Sequence, residues 1–204
     1  MRVGLTGGIA TGKSTVSRML RKRGAAIIDA DQVAREVVEP HTPGWRRVRD
    51  RFGERILRPD GFLDRRALRE VVFRDHRARQ DLNNILHPLI RARMLEKADF
   101  LEGDRPERLI VFDIPLLYES KLTHWVKKVI VVYVPESFQI RRLMDREGIG
   151  EEDALRMIRA QIPIEEKKRM ADCLIDNSGS REETERQVDH LWRCLTSKNG
   201  FNPQ

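Results

Sequence analysis

Hydrophobic positions along this chain follow two rhythms. Five short runs are almost unbroken: Val3-Gly4-Leu5, Ala25-Ala26-Ile27-Ile28, Leu109-Ile110-Val111-Phe112, Val129-Ile130-Val131-Val132 and Cys173-Leu174-Ile175. Strands buried on both faces carry runs of this kind, because neither side of the pleat meets water. Between them apolar residues recur every three or four positions, the helical period. Residues 14–22 read as a helix with Val16, Met19 and Leu20 on one face, and Gly24 is placed to end it. Strand, glycine-rich turn, helix, strand is the opening of a parallel α/β sheet. The middle is different. From 36 to 101 the period is helical, with faces at Trp45, Val48 and Phe52, at Leu68, Val71 and Val72, and at Leu82, Ile85 and Leu86. Pro88 is expected to start a further helix through Leu89, Met94 and Leu95. Residues 136–168 are helical and rich in charge, 181–195 form a last helix, and the tail from Ser197 reads as frayed.

The expected organisation is therefore a three-layer α/β core with a parallel five-stranded sheet, built from residues 1–35, 102–135 and 170–196. A helical insert over 36–101 and a second helical excursion over 136–169 interrupt it. A length of 204 residues suits one such domain with its embellishments.

Charge narrows the partners. Lys and Arg number 39 against 32 Asp and Glu, a formal net charge of +7. Such a surplus suits either a nucleic-acid stripe or a cleft that draws in phosphorylated small molecules. No run of five or six like charges occurs and aromatic residues are only 6%, which favours the cleft over a polyanion groove. Cys173 and Cys194 lack metal-ligand spacing and form no disulfide framework. Met1-Arg2-Val3-Gly4-Leu5 leads directly into a strand, with no signal-peptide pattern and no long apolar stretch, so a cytoplasmic location with no membrane partner is expected.

One motif carries chemistry outright. Gly7-Gly8-Ile9-Ala10-Thr11-Gly12-Lys13-Ser14 matches G-x-x-x-x-G-K-[ST] and sits between an apolar strand and an amphipathic helix. Its glycines let the backbone curl so that N–H groups converge on phosphate, and the helix N-terminus adds a favourable dipole. Gly8, Ala10, Thr11, Gly12, Lys13, Ser14 and Thr15 are the expected nucleotide contacts: Lys13 on the β- and γ-phosphates, Ser14 on Mg²⁺, Thr15 at the α-phosphate. The motif implies ATP with Mg²⁺ and leaves the phosphate acceptor open.

A regulatory GTPase needs an Asn-Lys-x-Asp segment, and Asp176-Asn177-Ser178-Gly179 is not one. A small-molecule kinase needs an acid near the acceptor hydroxyl and arginines for the transferring phosphate. Asp29 and Asp31 end the second strand, at the edge where open α/β sheets bind ligands. Asp31 is either a proton acceptor or a helix N-cap before Gln32. Asp29 is either a substrate contact or a metal-shell or hydrogen-bonding residue. Asp113 ends the third strand and is either a metal-holding acid or a turn residue before Pro115. Arg142 and Arg146 share a helix face at i and i+4, either toward phosphate or toward water. Arg65 and His87 are further acceptor-pocket candidates, and Trp45, Trp125 and Trp192 read as packing anchors.

The order of segments is more specific than any one of them. Leu5-Thr6-Gly7-Gly8-Ile9 with Gly12-Lys13-Ser14-Thr15-Val16, Ile28-Asp29-Ala30-Asp31, His87-Pro88-Leu89-Ile90, Pro115-Leu116-Leu117 with Glu119, Ala160-Gln161, and Ala171-Asp172 with Ile175-Asp176-Asn177-Ser178-Gly179 resemble, in sequence order, the signatures of the dephospho-CoA kinase family. The resemblance covers residues 1–180. It implies transfer of the ATP γ-phosphate to the ribose 3′-hydroxyl of dephospho-CoA, with Asp31 as general base, the insert as acceptor-binding region, and a lid carrying Arg142 and Arg146. The family usually has Gly-Ser where this chain has Ala10-Thr11, so the loop is expected to twist less freely at position 10.

Overall fold

The computed structural model describes residues 1–197, so the tail beyond Ser197 lies outside the described residues. Contacts divide the chain into two compact units, one of Met1–Ile27 with Leu101 onward and one of Ile28–Phe100.

The first unit holds the sheet. Strands β1 (Arg2–Gly7), β2 (Ala26–Asp29), β3 (Ile110–Asp113), β4 (Lys128–Tyr133) and β5 (Cys173–Asp176) lie in the order β2-β3-β1-β4-β5. β1 is central and pairs in parallel with β3 and β4, and β4 pairs in parallel with β5. Alternation along β1 sorts its two faces. Val3 and Leu5 join a core with Val16 and Leu20 of α1 (Lys13–Lys22) and Val188 and Leu191 of α9 (Arg181–Thr196). Gly4 points the other way, where an added Cβ would come within 2.7 Å of Leu117 Cδ2. Each Leu- or Val-sized side chain removed from water here contributes about 2 kcal/mol.

The excursion after β4 is three helices, broken where the sequence breaks it. α6 (Glu136–Glu147) stops at Gly148, which adopts φ 66°, and α7 (Glu151–Arg159) is separated by Pro163 from α8 (Ile164–Arg169). Leu143, Ala154 and Ile158 form the seam between α6 and α7. α9 begins with a capping box in which the Ser180 side chain accepts from the Glu183 N–H while the Glu183 carboxylate accepts from the Ser180 N–H.

The second unit is helical: α2 (Ala30–Glu36), α3 (Pro43–Phe52), α4 (Arg65–Arg74) and most of α5 (His76–Asp104). The three apolar faces read from the sequence meet in one cluster containing Val48, Phe52, Leu68, Val71, Leu82 and Ile85. Ile28–Arg35, expected with the sheet, groups with these helices. Lys97 of α5 pairs with Glu36 of α2 at 2.6 Å, which ties α2 to this unit. Trp45 is buried as expected and donates its indole N–H to Gly61 O.

Pro88 does not start a helix. α5 runs unbroken through it from His76 to Asp104. The missing N–H at position 88 costs one helical hydrogen bond. Ile85 and Leu86 pack into the cluster before it and Met94 and Ala98 are buried after it, so packing on both sides outweighs that loss. Among the described residues no helix is long and apolar enough to cross a membrane.

Candidate active site

The glycine-rich loop leaves the carboxyl end of β1 and enters α1. Two of its residues are left-handed, Ala10 at φ 61° and the helix N-cap Gly12 at φ 85°. Gly12 needs no Cβ for this, and an added one would lie 2.1 Å from Asn177 Nδ2. Ala10 is the position expected to twist less freely, and it sits in the left-handed region nonetheless. That conformation costs an L-residue about 1–2 kcal/mol, so surrounding contacts must hold it. Ile9 and Ala10 pack on the α6–α7 seam, which supplies part of that hold.

Polar side chains from four later segments take up the loop's backbone groups. Gln161 accepts from the Ile9 N–H at 3.0 Å, and Gln139 Nε2 donates to Ile9 O at 2.7 Å. Asn177 Nδ2 donates to Thr11 O at 2.8 Å, and its own Oδ1 accepts from Thr184 at 2.9 Å. Lys167, wholly buried, reaches Gly7 O at 3.4 Å and pairs with Glu119 at 2.7 Å. Thr11 Oγ1 turns back to Gly8 O at 2.9 Å. By contrast, among the described residues the N–H groups of Ala10, Gly12, Lys13 and Ser14 donate to nothing in the chain. Free backbone donors clustered at a helix N-terminus form an anion-binding nest.

Lys13 Nζ donates to Asp113 Oδ1 at the end of β3, and Asp113 is only 3% exposed. Ser14 is exposed in the first turn of α1, and Thr15 donates its N–H to Gly12 O. Among the described residues no cluster of three or more His, Cys, Asp or Glu forms a metal cage. A nucleotide-borne Mg²⁺ does not require one, because it keeps several waters and uses one or two protein oxygens beside the phosphates. The Ser14 hydroxyl and the Asp113 carboxylate have the right chemistry for that part.

The two arginines of α6 separate. Arg142 donates to Asn177 O at 2.9 Å, beside Gly12. Arg146 pairs with its neighbour Glu147 at 2.8 Å on the exposed face of α6. Nearby, the Tyr133 hydroxyl donates to Glu165 at 2.6 Å; that bond and its burial push its pKa up to about 12.

In the helical unit Asp29 is the cap of α2, accepting from the Asp31 and Gln32 N–H groups at 2.8 and 3.1 Å. Asp31 lies inside the first turn, exposed, and among the described residues its carboxylate accepts no hydrogen bond. Arg65 opens α4 and His87 lies on α5, both exposed. A cavity of about 880 Å³ in this unit is lined by Val37, Pro43, Gly44 and Leu89 with Glu36 and Lys97, and by none of Asp29, Arg65 or His87.

Gln139, Gln161, Lys167 and Glu119 were not among the expected site residues. Glu119 and Gln161 stand in segments that carried the family resemblance, which was the one available signal. Nothing in the local sequence marks Lys167.

The family model described as dephospho-CoA kinase matches residues 1–183. The dephospho-CoA kinase of Shouchella clausii is 50% identical over 188 residues, 92% of this chain and 95% of that protein. That of Halalkalibacterium halodurans is 48% identical over 198 residues, 96% of this chain and 98% of that protein. Among solved structures, one from Thermus thermophilus aligns with a TM-score of 0.80 at 34% identity, covering 97% of this chain and 98% of the other. The dephospho-CoA kinase from Campylobacter jejuni aligns at 0.73 and 30%, covering 96% of each chain.

Proposed function

The chain belongs to the dephospho-CoA kinase family, which performs the last step of CoA biosynthesis, and on that premise we propose how its residues perform it. The γ-phosphate of ATP passes to the ribose 3′-hydroxyl of dephospho-CoA, giving CoA and ADP. The acceptor follows from the family, and the observation that carries the nucleotide half is the set of unpartnered N–H groups at Ala10, Gly12, Lys13 and Ser14, held open by bonds to the loop's other atoms.

Those N–H groups and Lys13 bind the phosphates and take up charge that grows during transfer, the main contribution a protein makes to phosphoryl transfer. Ser14 and Asp113 would be the protein oxygens that hold Mg²⁺ carried with ATP, which would supply neutralisation of phosphate charge there. Asp31 is the general base. Asp29 already does the capping, so the Asp31 carboxylate is spare and can accept the proton of the 3′-hydroxyl. Arg142 is the better placed of the two lid arginines, and Arg146 would have to leave Glu147 to contribute. Residues 36–101, with Asp29, Arg65 and His87 as contacts, receive dephospho-CoA, and 136–169 form the lid. The sheet core draws on 1–29, 102–135 and 170–196, with 30–35 grouping with the helical unit.

Incubating the full chain with ATP, Mg²⁺ and dephospho-CoA should yield CoA and ADP in equal amounts. Phosphorylation of a nucleoside monophosphate by a folded preparation, with no CoA formed, would refute the assignment.

A further inference from the structure

Ile9 is gripped at its backbone N–H and at its carbonyl by glutamines from different segments. Gln161, between α7 and α8, accepts from its N–H at 3.0 Å, and Gln139 of α6 donates to its carbonyl at 2.7 Å. Gln139 is 1% exposed, and its Oε1 is buried with no hydrogen-bond partner among the described residues. An unsatisfied buried amide oxygen is costly, so the single bond its other end makes needs a reason.

The reason lies one residue on. Ala10, at φ 61°, holds a conformation that an L-residue leaves readily, and its N–H is one of the free donors of the nest. The Ile9 carbonyl shares its peptide plane with the Ala10 N–H, so the Gln139 bond fixes the plane from which Ala10 turns, and the Gln161 bond fixes the plane before it. The segment bearing Gln161 is itself anchored. The Ile162 N–H donates to Glu119 at 3.1 Å, Glu119 pairs with Lys167, and Lys167 reaches back to Gly7 O. Ile9 and Ala10 also pack against Leu143, Ala154 and Ile158.

We infer that Gln139 and Gln161 are positioning residues for nucleotide binding: together they hold the two peptide groups that flank Ile9 so that Ala10 stays left-handed and the phosphate nest stays formed. The lid segment thereby sets the grip of the loop. This goes beyond the proposed reaction and rests on it only for the identity of the bound nucleotide.

The two glutamines use opposite polarities, and this gives the test. Gln161 needs only an acceptor, so Gln161→Glu keeps the bond and Gln161→Leu removes it. Gln139 needs a donor, so Gln139→Glu sets a carboxylate against the Ile9 carbonyl. Both Glu variants add one negative charge beside Ile9, but Gln139 is buried and Gln161 only half-buried, so Gln139→Leu, which removes the donor without burying a charge, is measured beside them and should weaken ADP as Gln161→Leu does. ADP affinity is measured by titration calorimetry on the full chain without any acceptor, so a failure of the acceptor assignment would leave it untouched. Gln139→Glu and Gln161→Leu should weaken ADP about tenfold or more, while Gln161→Glu stays within about threefold. In turnover, KM for ATP should rise with KM for the acceptor unchanged. Equal responses of the two Glu variants, or a Gln161→Leu variant that binds as the unaltered chain does, would overturn the inference. If Gln139→Glu fails to fold, the contrast between Gln161→Leu and Gln161→Glu decides alone.

Discussion

Lys13 of the phosphate loop and Asp113 at the end of β3 form an ion pair, the Nζ donating to a carboxylate that is 3% exposed. The pair serves two ends at once. It aims the lysine that phosphate needs, and it compensates a buried negative charge that would otherwise be costly. Lys13→Ala should therefore lower kcat/KM for ATP by about 3–5 kcal/mol, some hundred- to several-thousand-fold. It should also lower stability by about 2 kcal/mol, because Asp113 is left unpaired. Adding Asp113→Asn to that variant should recover most of the stability and none of the turnover. Thermal melts and steady-state rates on the two variants check both halves.

Asp31 and Asp29 stand two residues apart and do different work. Asp29 holds two N–H groups of α2, while the Asp31 carboxylate holds nothing among the described residues. Asp31→Asn should abolish phosphoryl transfer while ATP affinity and melting temperature stay as they were. Asp29→Ala should lower stability by about 1 kcal/mol, the usual cost of a lost side-chain cap. Equal loss of ATP affinity in Asp31→Asn would make it a nucleotide or folding residue and remove it as the base.

What the sequence disclosed depended on how local each feature is. The loop from Gly7 to Ser14 was legible in full because its chemistry is contiguous, and the strand runs were legible because burial on both faces leaves a continuous apolar signature. Capping was legible as a need, with Asp31 standing as one open candidate, and backbone geometry gives the role to Asp29, since both residues satisfy the local preference. Pro88 misled because its local effect, a break, is overridden by packing on either side. The clamp on the loop was illegible by composition. Ile9 is separated by 130 positions from Gln139 and by 152 from Gln161, and no spacing rule connects residues so far apart. Only the ordered family segments hinted at Gln161 and Glu119, and they said nothing of what these side chains touch.

Gly12 joins two requirements that no other residue meets. It is left-handed at φ 85°, and a Cβ there would stand 2.1 Å from Asn177 Nδ2, the donor to Thr11 O. Gly12→Ala should displace Asn177, release Arg142 from the Asn177 carbonyl, and distort the first turn of α1. We expect a stability loss of about 1–3 kcal/mol and a larger loss of nucleotide affinity, roughly a hundredfold. Melting curves and ADP titration give the two numbers. A variant that binds ADP normally would show that the nest tolerates a side chain at its N-cap.

The chain has two tyrosines, and both are held neutral beyond the ordinary phenol range. Tyr133 is pushed up to about 12 by its hydrogen bond to Glu165, then by burial and by the charges of Glu165 and Asp176. Tyr118 is pushed up to about 12 by burial and by the Asp172 charge, while its hydroxyl donates to Met170 O at 2.9 Å. The sign follows from linkage. The folded pKa lies above the unfolded value of 10, so the stability these hydroxyls contribute is complete below pH 10 and is lost as pH rises toward 12. Phenolate absorbance of the native protein should therefore stay low at pH 10, where a free tyrosine is half ionised, and should rise only as the fold opens. Tyr133→Phe should shed about 1 kcal/mol near neutral pH with the loss of one hydrogen bond, and should weaken the further loss of stability above pH 10. Half-ionised tyrosines at pH 10 in a protein with native circular dichroism would show that neither hydroxyl is held as described.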